Sequence, residues 1–563
     1  MELIKVDVMI CGGGPCGLML ANELGRRGVS VLLADEKEST AFNPQANATQ
    51  ARTMEHFRRL GFVDEIRSQG LPADFPTDIA YFTRYAEHEL ARFRLPSAQQ
   101  AKQKARELKG SWSAAELPHR VSQKYVEAVL RRKAEQLPGV TVRYGHRVSD
   151  FEEHAEGVRT TVESREGGAP FVVESRYLVG ADGPRSFVRG KLGYRYTGET
   201  GVTRDFMGGR MFAVYLRCPD FYTRVPHAPA WMNVTFNRDR RAFMAAVDGK
   251  GEFAFHTQLR AHEKEESITD EDARDLFRAA VGLDLEVEVL SKGSWTAGHS
   301  LVAEHFQRGR VFLGGDAVHL FTPAGGLGYN TAVEDAVNLG WKLAAVLQGR
   351  AAPALLDTYE LERRPLAVRN TGYARGFADS LGLITPADEI EEDSARGEAA
   401  RAEAGKHFDH HGRLEFNIPG VTFGGRYDGS PAIVSDGTQP PADSANVYTP
   451  TACPGGRPPH AWLDDGASIF DRFGFDWTLL VLGPTTPETS AFSTAMSRSK
   501  VDLRVVRIED PEILALYEAP LVLIRPDQIV AWRGHSDAYA DDIVNQLLGH
   551  SKGDVAVPFN AAA

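Results

Sequence analysis

Four cysteines, Cys11, Cys16, Cys218 and Cys453, are all that a chain of 563 residues contains. So few cannot staple a fold of this size, and sparse use fits a reducing compartment, so the cytoplasm is the expected location. No Cys/His cluster has metal-ligand spacing, so no metal is expected. No apolar run approaches the roughly 18 residues that a membrane span needs. The apolar start breaks at Cys11-Gly12-Gly13-Gly14, too early for a secretory leader. A basic excess is also missing. Lys+Arg number 64 against 76 Asp+Glu, a net charge of −12, which leaves no footprint for a nucleic-acid backbone. What remains is an ordinary composition, 42% hydrophobic and 25% charged, in a chain too long for one core.

The first positive signal follows the opening strand-like run Leu3 to Ile10. In Gly12-x-Gly14-x-x-Gly17 the first glycine permits a tight turn and the second lets backbone approach a pyrophosphate. The third lets helix and strand pack closely. Leu18 to Arg27 has helical periodicity, Val29 to Ala34 reads as the next strand, and Asp35-Glu36 stands where a ribose-binding acid belongs. This βαβ unit fits NAD and FAD equally well. No second glycine fingerprint exists, so a second dinucleotide has no Rossmann domain of its own. Cys11 and Cys16 read as small packing residues beside the turn rather than as a redox pair.

Further along, Thr53–Leu60 and Val121–Gln136 read as helices, and strand-like runs between 140 and 178 suggest a β-meander. Aromatic and β-branched alternation between 205 and 260 predicts a separate sheet, readable either as plain core or as the lining of an aromatic pocket. Within it Arg210, Tyr215 and His227 are candidate substrate contacts. Long helices are predicted over 331–348 and 355–381, and a charged, solvated one over 388–407. A proline-rich stretch then precedes strands at Thr478–Leu482, Leu503–Arg507 and Leu521–Ile524, a second small α/β domain.

Two later motifs make the reading specific: Gly180-Ala-Asp182-Gly183-Pro-Arg185-Ser186, and Gly314-Gly315-Asp316 continuing to Pro323-Ala-Gly325-Gly326-Leu327-Gly328-Tyr-Asn330. With the first fingerprint they resemble the FAD-dependent aromatic monooxygenases of the p-hydroxybenzoate hydroxylase type, in particular the longer phenol hydroxylase branch. The resemblance implies an α/β fold: a Rossmann-like FAD-binding domain, an inserted β-sheet substrate domain and a C-terminal thioredoxin-like domain. It implies that Asp182 serves FAD and NAD(P)H, that Asp316 binds the ribityl chain, and that Gly326, Leu327, Gly328 and Asn330 lie at the flavin ring beside Pro323. Arg52, in Arg52-Thr53-Met54-Glu55, and Gln123 match segments that contact the cofactor. Gln45 stands where the family often has an arginine serving FAD or nicotinamide, and Asn47 matches a position near the substrate ring. Pro454–Leu463 and Leu523–Gly534 resemble the thioredoxin-like domain, which has no CxxC and is expected to serve structure or dimerisation.

The expected division is 1–75, 111–190 and 291–385 for FAD binding, 76–110 and 191–290 for substrate, 386–435 as linker and 436–563 as the C-terminal domain. The implied activity uses NAD(P)H to reduce FAD and O₂ to form a flavin C4a-hydroperoxide that hydroxylates a small phenolic or aromatic substrate. Three competitors stay open: a Baeyer–Villiger-type or polyketide-tailoring flavin oxygenase, a flavin reductase or dehydrogenase without oxygen insertion, and a non-catalytic binding protein. His319 and His299 lie close to the motifs, where a histidine more often serves as a structural hydrogen-bond partner than as a base.

Overall fold

The computed structural model describes residues 2–200, 206–382, 384–485 and 487–551. Its largest sheet has eight strands. At the centre Leu3–Cys11 lies parallel to Val31–Asp35 on one side and to Phe171–Gly180 on the other. Val140–Tyr144 adds beyond Val31–Asp35, and Val311–Leu313 adds beyond Phe171–Gly180, both parallel. The first of these additions departs from the expected meander. Val140–Tyr144 joins the parallel sheet, and the meander consists of His146–His154, Gly157–Ser164 and Phe171–Gly180. His146–His154 escaped notice because its outward positions are acidic and basic rather than β-branched.

Helix Pro15–Gly25 covers this sheet and packs against Leu327–Leu347, the long helix behind the third motif. The helix expected over 388–407 runs from Ala395 to Phe416, because Ser394 caps it by accepting the Gly397 amide. The helix expected before it, over 355–381, begins as a 3₁₀ turn over Pro353–Asp357 and continues as Thr358–Gly382.

A second sheet of seven strands runs in the order Glu288–Ala297, Gly209–Arg217, Glu252–Gln258, Ala242–Ala246, Met232–Thr235, Ile79–Phe82 and Glu89–Phe93. Its last strand in sequence, Glu288–Ala297, carries the sheet past residue 290. Alternation sends successive side chains to opposite faces. One face, with Val214, Leu216, Phe253 and Phe255, is closed by helix Asp270–Val281, whose Phe277 meets Phe255 edge-on at 5.5 Å. The other face turns towards the parallel sheet: its Tyr215 meets Phe42 at 5.6 Å, and Lys124 Nζ donates to the Tyr215 hydroxyl at 2.6 Å.

The C-terminal sheet has the order Leu503–Ile508, Trp477–Leu482, Leu521–Ile524 and Val530–Gly534. Trp477–Leu482 is buried at every position because helices cover both faces. Leu479 and Val481 pack towards Ser490–Arg498 and Ala540–Leu547, Leu480 and Leu482 towards Pro511–Tyr517.

Candidate active site

The three motifs meet because of strand register. Ala34, Cys11, Gly180 and Leu313 stand side by side across four neighbouring parallel strands, so the segments that follow them leave the sheet at one level. Ligands of open α/β sheets bind at this carboxyl end. The glycines show how closely the loops approach. A Cβ on Gly12, which has φ +111°, would lie 2.2 Å from the Ala181 carbonyl oxygen, and one on Gly17 would lie 2.0 Å from the Gly12 carbonyl oxygen. Gly314 and Gly315 both press on Cys16. Gly12 ties the first motif to the second, and Cys16 ties it to the third. Gly14 alone in the fingerprint faces open space, with nothing within 4 Å of where a Cβ would be. As the N-cap of Pro15–Gly25 it has no side chain to satisfy the first-turn amides. Open backbone at a positive helix end suits a pyrophosphate.

Asp35 closes its strand and accepts the Gly13 amide at 2.6 Å and the Lys37 amide at 2.8 Å, while Glu36 beside it is exposed. Asp182 is held within its own turn: it accepts the Val188 amide at 3.0 Å and the Ser186 hydroxyl. Burial raises its carboxyl, and those hydrogen bonds work against the rise. Asp316 is exposed to solvent, yet enough protein crowds the cleft for desolvation to raise its carboxyl as well. Behind it the Gly315 amide donates to Asp335 at 3.1 Å, and Asp335 is held by His319 at 2.7 Å and Arg363 at 2.8 Å. His319 is fully buried there, a strut beneath the loop. His299 lies further out, paired with Thr200 at 2.9 Å.

The third motif continues through Gly325 and Gly326, both left-handed at φ +66° and +64°. Asn330 orders this turn: its Oδ1 accepts the Gln50 amide at 2.8 Å, and its Nδ2 donates to the Ala48 carbonyl at 2.9 Å and to the Gly326 carbonyl at 2.6 Å. The side chain of Gln50 donates through Nε2 to Gly325 O at 2.7 Å. A Cβ on Gly326 would sit 2.8 Å from the Ala48 Cβ. Leu327 is buried, Gly328 packs under Phe321, and Pro323 is exposed on the cleft side of the turn. The neighbouring loop brings Gln45, exposed, and Asn47, whose buried Oδ1 has no partner. Gln123 supports this loop: its backbone amide donates to Ala46 O at 2.7 Å, and its side chain donates to Glu127 at 2.6 Å. Ligand-ready backbone, a site with no Cβ and an orphaned amide oxygen fit a large, polar, planar cofactor.

Four expected site residues lie elsewhere or are already engaged. Arg52 is buried on the far side of its helix, Ala51–Arg59, where it pairs with Glu55 at 3.1 Å and donates to the Asp527 and Gln528 carbonyls at 2.9 and 3.0 Å. It joins the parallel-sheet domain to the C-terminal domain. Arg210 projects from the helix-covered face of the second sheet, opposite to the cleft, and pairs there with Glu265 at 2.9 Å. His227 lies in a loop on that same side, on the Glu87 carbonyl and 4.9 Å from the Phe82 ring. Tyr215 does sit on the cleft-facing side, but its hydroxyl is engaged by Lys124 and Glu252. Two residues not singled out from the sequence, His256 and Trp295, occupy that face instead, their rings 5.9 Å apart. Their only signal was alternation with known inward positions, and that needs the register of four strands to decode.

Comparison with known proteins agrees with the geometry. Residues 5–373 match the FAD binding domain family and residues 451–551 the aromatic-ring hydroxylase C-terminal family. Phenol 2-monooxygenase of a Pseudomonas species is 29% identical, covering 95% of this chain and 91% of its own. Tetracenomycin B2 monooxygenase-dioxygenase of Streptomyces olivaceus is 32% identical, covering 96% and 97%. Among solved structures, the rebeccamycin biosynthetic enzyme RebC with reduced flavin superposes with a TM-score of 0.86 at 34% identity, covering 98% of this chain and all of its own. The flavin-dependent monooxygenase PieE, in complex with FAD and substrate, gives 0.84 at 29% identity, covering 97% and 100%.

Proposed function

Because this chain belongs to the FAD binding domain family and carries the aromatic-ring hydroxylase C-terminal domain, it is an FAD-dependent aromatic monooxygenase; we propose that its substrate lies between the third motif and the open face of the seven-stranded sheet. Bound FAD would supply the redox chemistry that takes electrons from NAD(P)H and activates O₂, the source of the transferred oxygen atom. The protein's share is binding, orientation and exclusion of water. Gly14 and the first turn of Pro15–Gly25 receive the pyrophosphate, Asp35 with Glu36 the ribose, and Asp316 the ribityl chain. Gly326, Leu327 and Gly328 present backbone to the flavin ring, with Pro323 and Asn47 flanking the reacting edge and Gln45 open to the nicotinamide, while Asp182 orders the turn of the second motif. Asn330 and Gln123 hold the loops that do this.

The observation that carries the reading is the alignment of Cys11, Gly180 and Leu313 at one level of the sheet, with Gly14 open above them. A second reading, the tailoring of a polyketide, is favoured by a relative named putative polyketide hydroxylase, 32% identical over 96% of this chain. Four buried free thiols suit a cytoplasmic enzyme, and the C-terminal domain suits a homodimer, which light scattering would test.

The deciding experiment follows NAD(P)H oxidation by FAD-loaded protein with phenols and polycyclic quinols under ¹⁸O₂, together with peroxide release. A substrate that accelerates oxidation, suppresses peroxide and gains one labelled oxygen on its ring supports the reading. Unlabelled product with undiminished turnover would return the chain to the reductases.

A further inference from the structure

The open face of the seven-stranded sheet has a particular relief. One register row reads Gly293, Ala213, His256, Phe243 across four strands. The next row towards Tyr215 includes Ala254 and Ala245. Ala254 and Ala245 are buried, whereas Gly293 and Ala213 are part-exposed and floor a shallow bay, with rings walling one side of it. His256 and Phe243 stack at 4.5 Å with planes 11° apart, and Trp295 stands edge-on to His256. This face is the one that meets Phe42 and Lys124, hence the one towards the loop that carries Asn47.

The imidazole in this wall is fixed chemically as well as sterically. Trp295 Nε1 donates to His256 Nδ1 at 3.1 Å. An indole nitrogen can only donate, so Nδ1 must accept and the single proton of the neutral ring resides on Nε2. Burial, with no charged neighbour contributing, pushes the His256 pKa down to about 4, so the ring is neutral at physiological pH. Nε2–H has no hydrogen-bond partner among the described residues, and the ring is 9% exposed. A donor held in one orientation, stacked between rings and left unsatisfied beside a bay is a recognition element.

Resting on the substrate placement proposed above, we infer that the Nε2–H of His256 recognises an acceptor oxygen carried on the substrate's aromatic ring, a phenolate or a quinone carbonyl, and so sets which ring position faces the flavin. His256 is a specificity-determining residue in this account. Trp295 is a positioning residue that acts through the tautomer.

The test uses FAD-loaded protein and three probes of one size, 1-naphthol, 1,4-naphthoquinone and naphthalene, with binding read from perturbation of the flavin absorbance. The wild type is expected to prefer at least one oxygenated ring over naphthalene by about tenfold, the scale of a buried hydrogen bond left unmade. Preference for naphthol alone identifies a phenol or phenolate as the partner, and preference for the quinone alone identifies a carbonyl. His256→Phe keeps the stack and removes the donor, so the preference should collapse to within about twofold while naphthalene binding is retained. Should that variant lose FAD, Trp295→Phe, which lets the proton move to Nδ1, is expected to lose the same preference. A preference that survives these changes, a wild type that discriminates none of the three, or a ¹⁵N spectrum placing the proton on Nδ1 overturns the proposal. Persistence of labelled-oxygen transfer in His256→Phe with unchanged preference would sink this inference and leave the monooxygenase reading intact.

Discussion

The cofactor cleft and the seam between the parallel-sheet domain and the C-terminal domain are built from opposite materials. In the cleft, backbone and missing side chains predominate: Gly12, Gly14, Gly17, Gly325 and Gly326 shape it, and polar atoms such as Asn47 Oδ1 stay unpaired. In the seam, buried charges predominate, and the carboxylates are met on each oxygen. Glu362 receives Arg525 at 2.7 and 2.8 Å, Lys342 at 2.7 Å and the Ser430 hydroxyl at 2.6 Å. Asp527 takes Arg525 at 2.6 Å, and Glu55 takes Arg457 at 2.9 Å. An arginine in the family's characteristic segments therefore reads in two ways, and only its partners decide. Arg52 found carbonyls of the C-terminal sheet. A binding cleft is recognised by its bare backbone and missing side chains, and this seam by carboxylates met on each oxygen.

Breaking the seam should have the largest effect. Glu362→Ala would leave Lys342 buried without a paired carboxylate and Arg525 with Asp527 alone, a loss of about 3–5 kcal/mol by analogy with broken buried pairs. Urea denaturation of the FAD-loaded protein measures it, and a midpoint unchanged from wild type would contradict the role of the cluster. In the cleft, Gly326→Ala adds a methyl group 2.8 Å from the Ala48 Cβ at φ +64°. Overpacking and left-handed backbone strain together cost about 1–3 kcal/mol, which should appear as at least about tenfold weaker FAD retention with smaller change in the melt of the apoprotein. Arg52→Met sharpens the contrast, because it should lower the melting temperature while folded protein keeps its FAD affinity. A variant that melts like wild type but releases FAD would restore Arg52 to the cofactor.

Acid probes the seam as well. Burial raises Glu362, yet Arg525 and Lys342 overcome it and hold the carboxyl below its usual 4.5. Glu55, buried against Arg457, is likewise lowered. Folded values below unfolded ones give stability that is complete above the unfolded range and lost as pH falls through the folded values. Thermal melts should therefore be flat with respect to these two groups above about pH 5.5, and fall progressively below 4.5. A melting temperature that rises on acidification would reverse the sign. The smallest effect belongs to Gln45→Arg on the exposed loop, which should change stability by less than about 0.5 kcal/mol. Its readout is the KM for NAD(P)H, expected to fall if the loop meets the nicotinamide.

Much of this was legible in the chain. The βαβ unit, the three motifs and the strand Leu521–Ile524 are local patterns, and each is where the residues put it. The substrate side was not, for a definite reason. Arg210 and His256 both lie in alternating strands, and which of two faces each takes depends on pairing with partners as distant as Thr296 is from Arg210, a one-residue matter that composition cannot set. The partners of Arg52 were hidden for a related reason: Asp527 and Gln528 lie beyond 470 positions along the chain.

The shared level of Cys11, Gly180 and Leu313 bears on how such a chain can change over generations. Only the strand ends are held to register, so whatever leaves the parallel sheet after one motif need only return to it before the next. The excursions from Ile79 to Phe93 and from Gly209 to Ala297 are inserted in that way and together build the second sheet. Length between the motifs is therefore free to drift and substrate walls can be exchanged wholesale, whereas deleting one residue within Phe171–Gly180 would shift Asp182 off the level of Gly12. The same geometry supports modular diversification of ring specificity around an inherited redox centre.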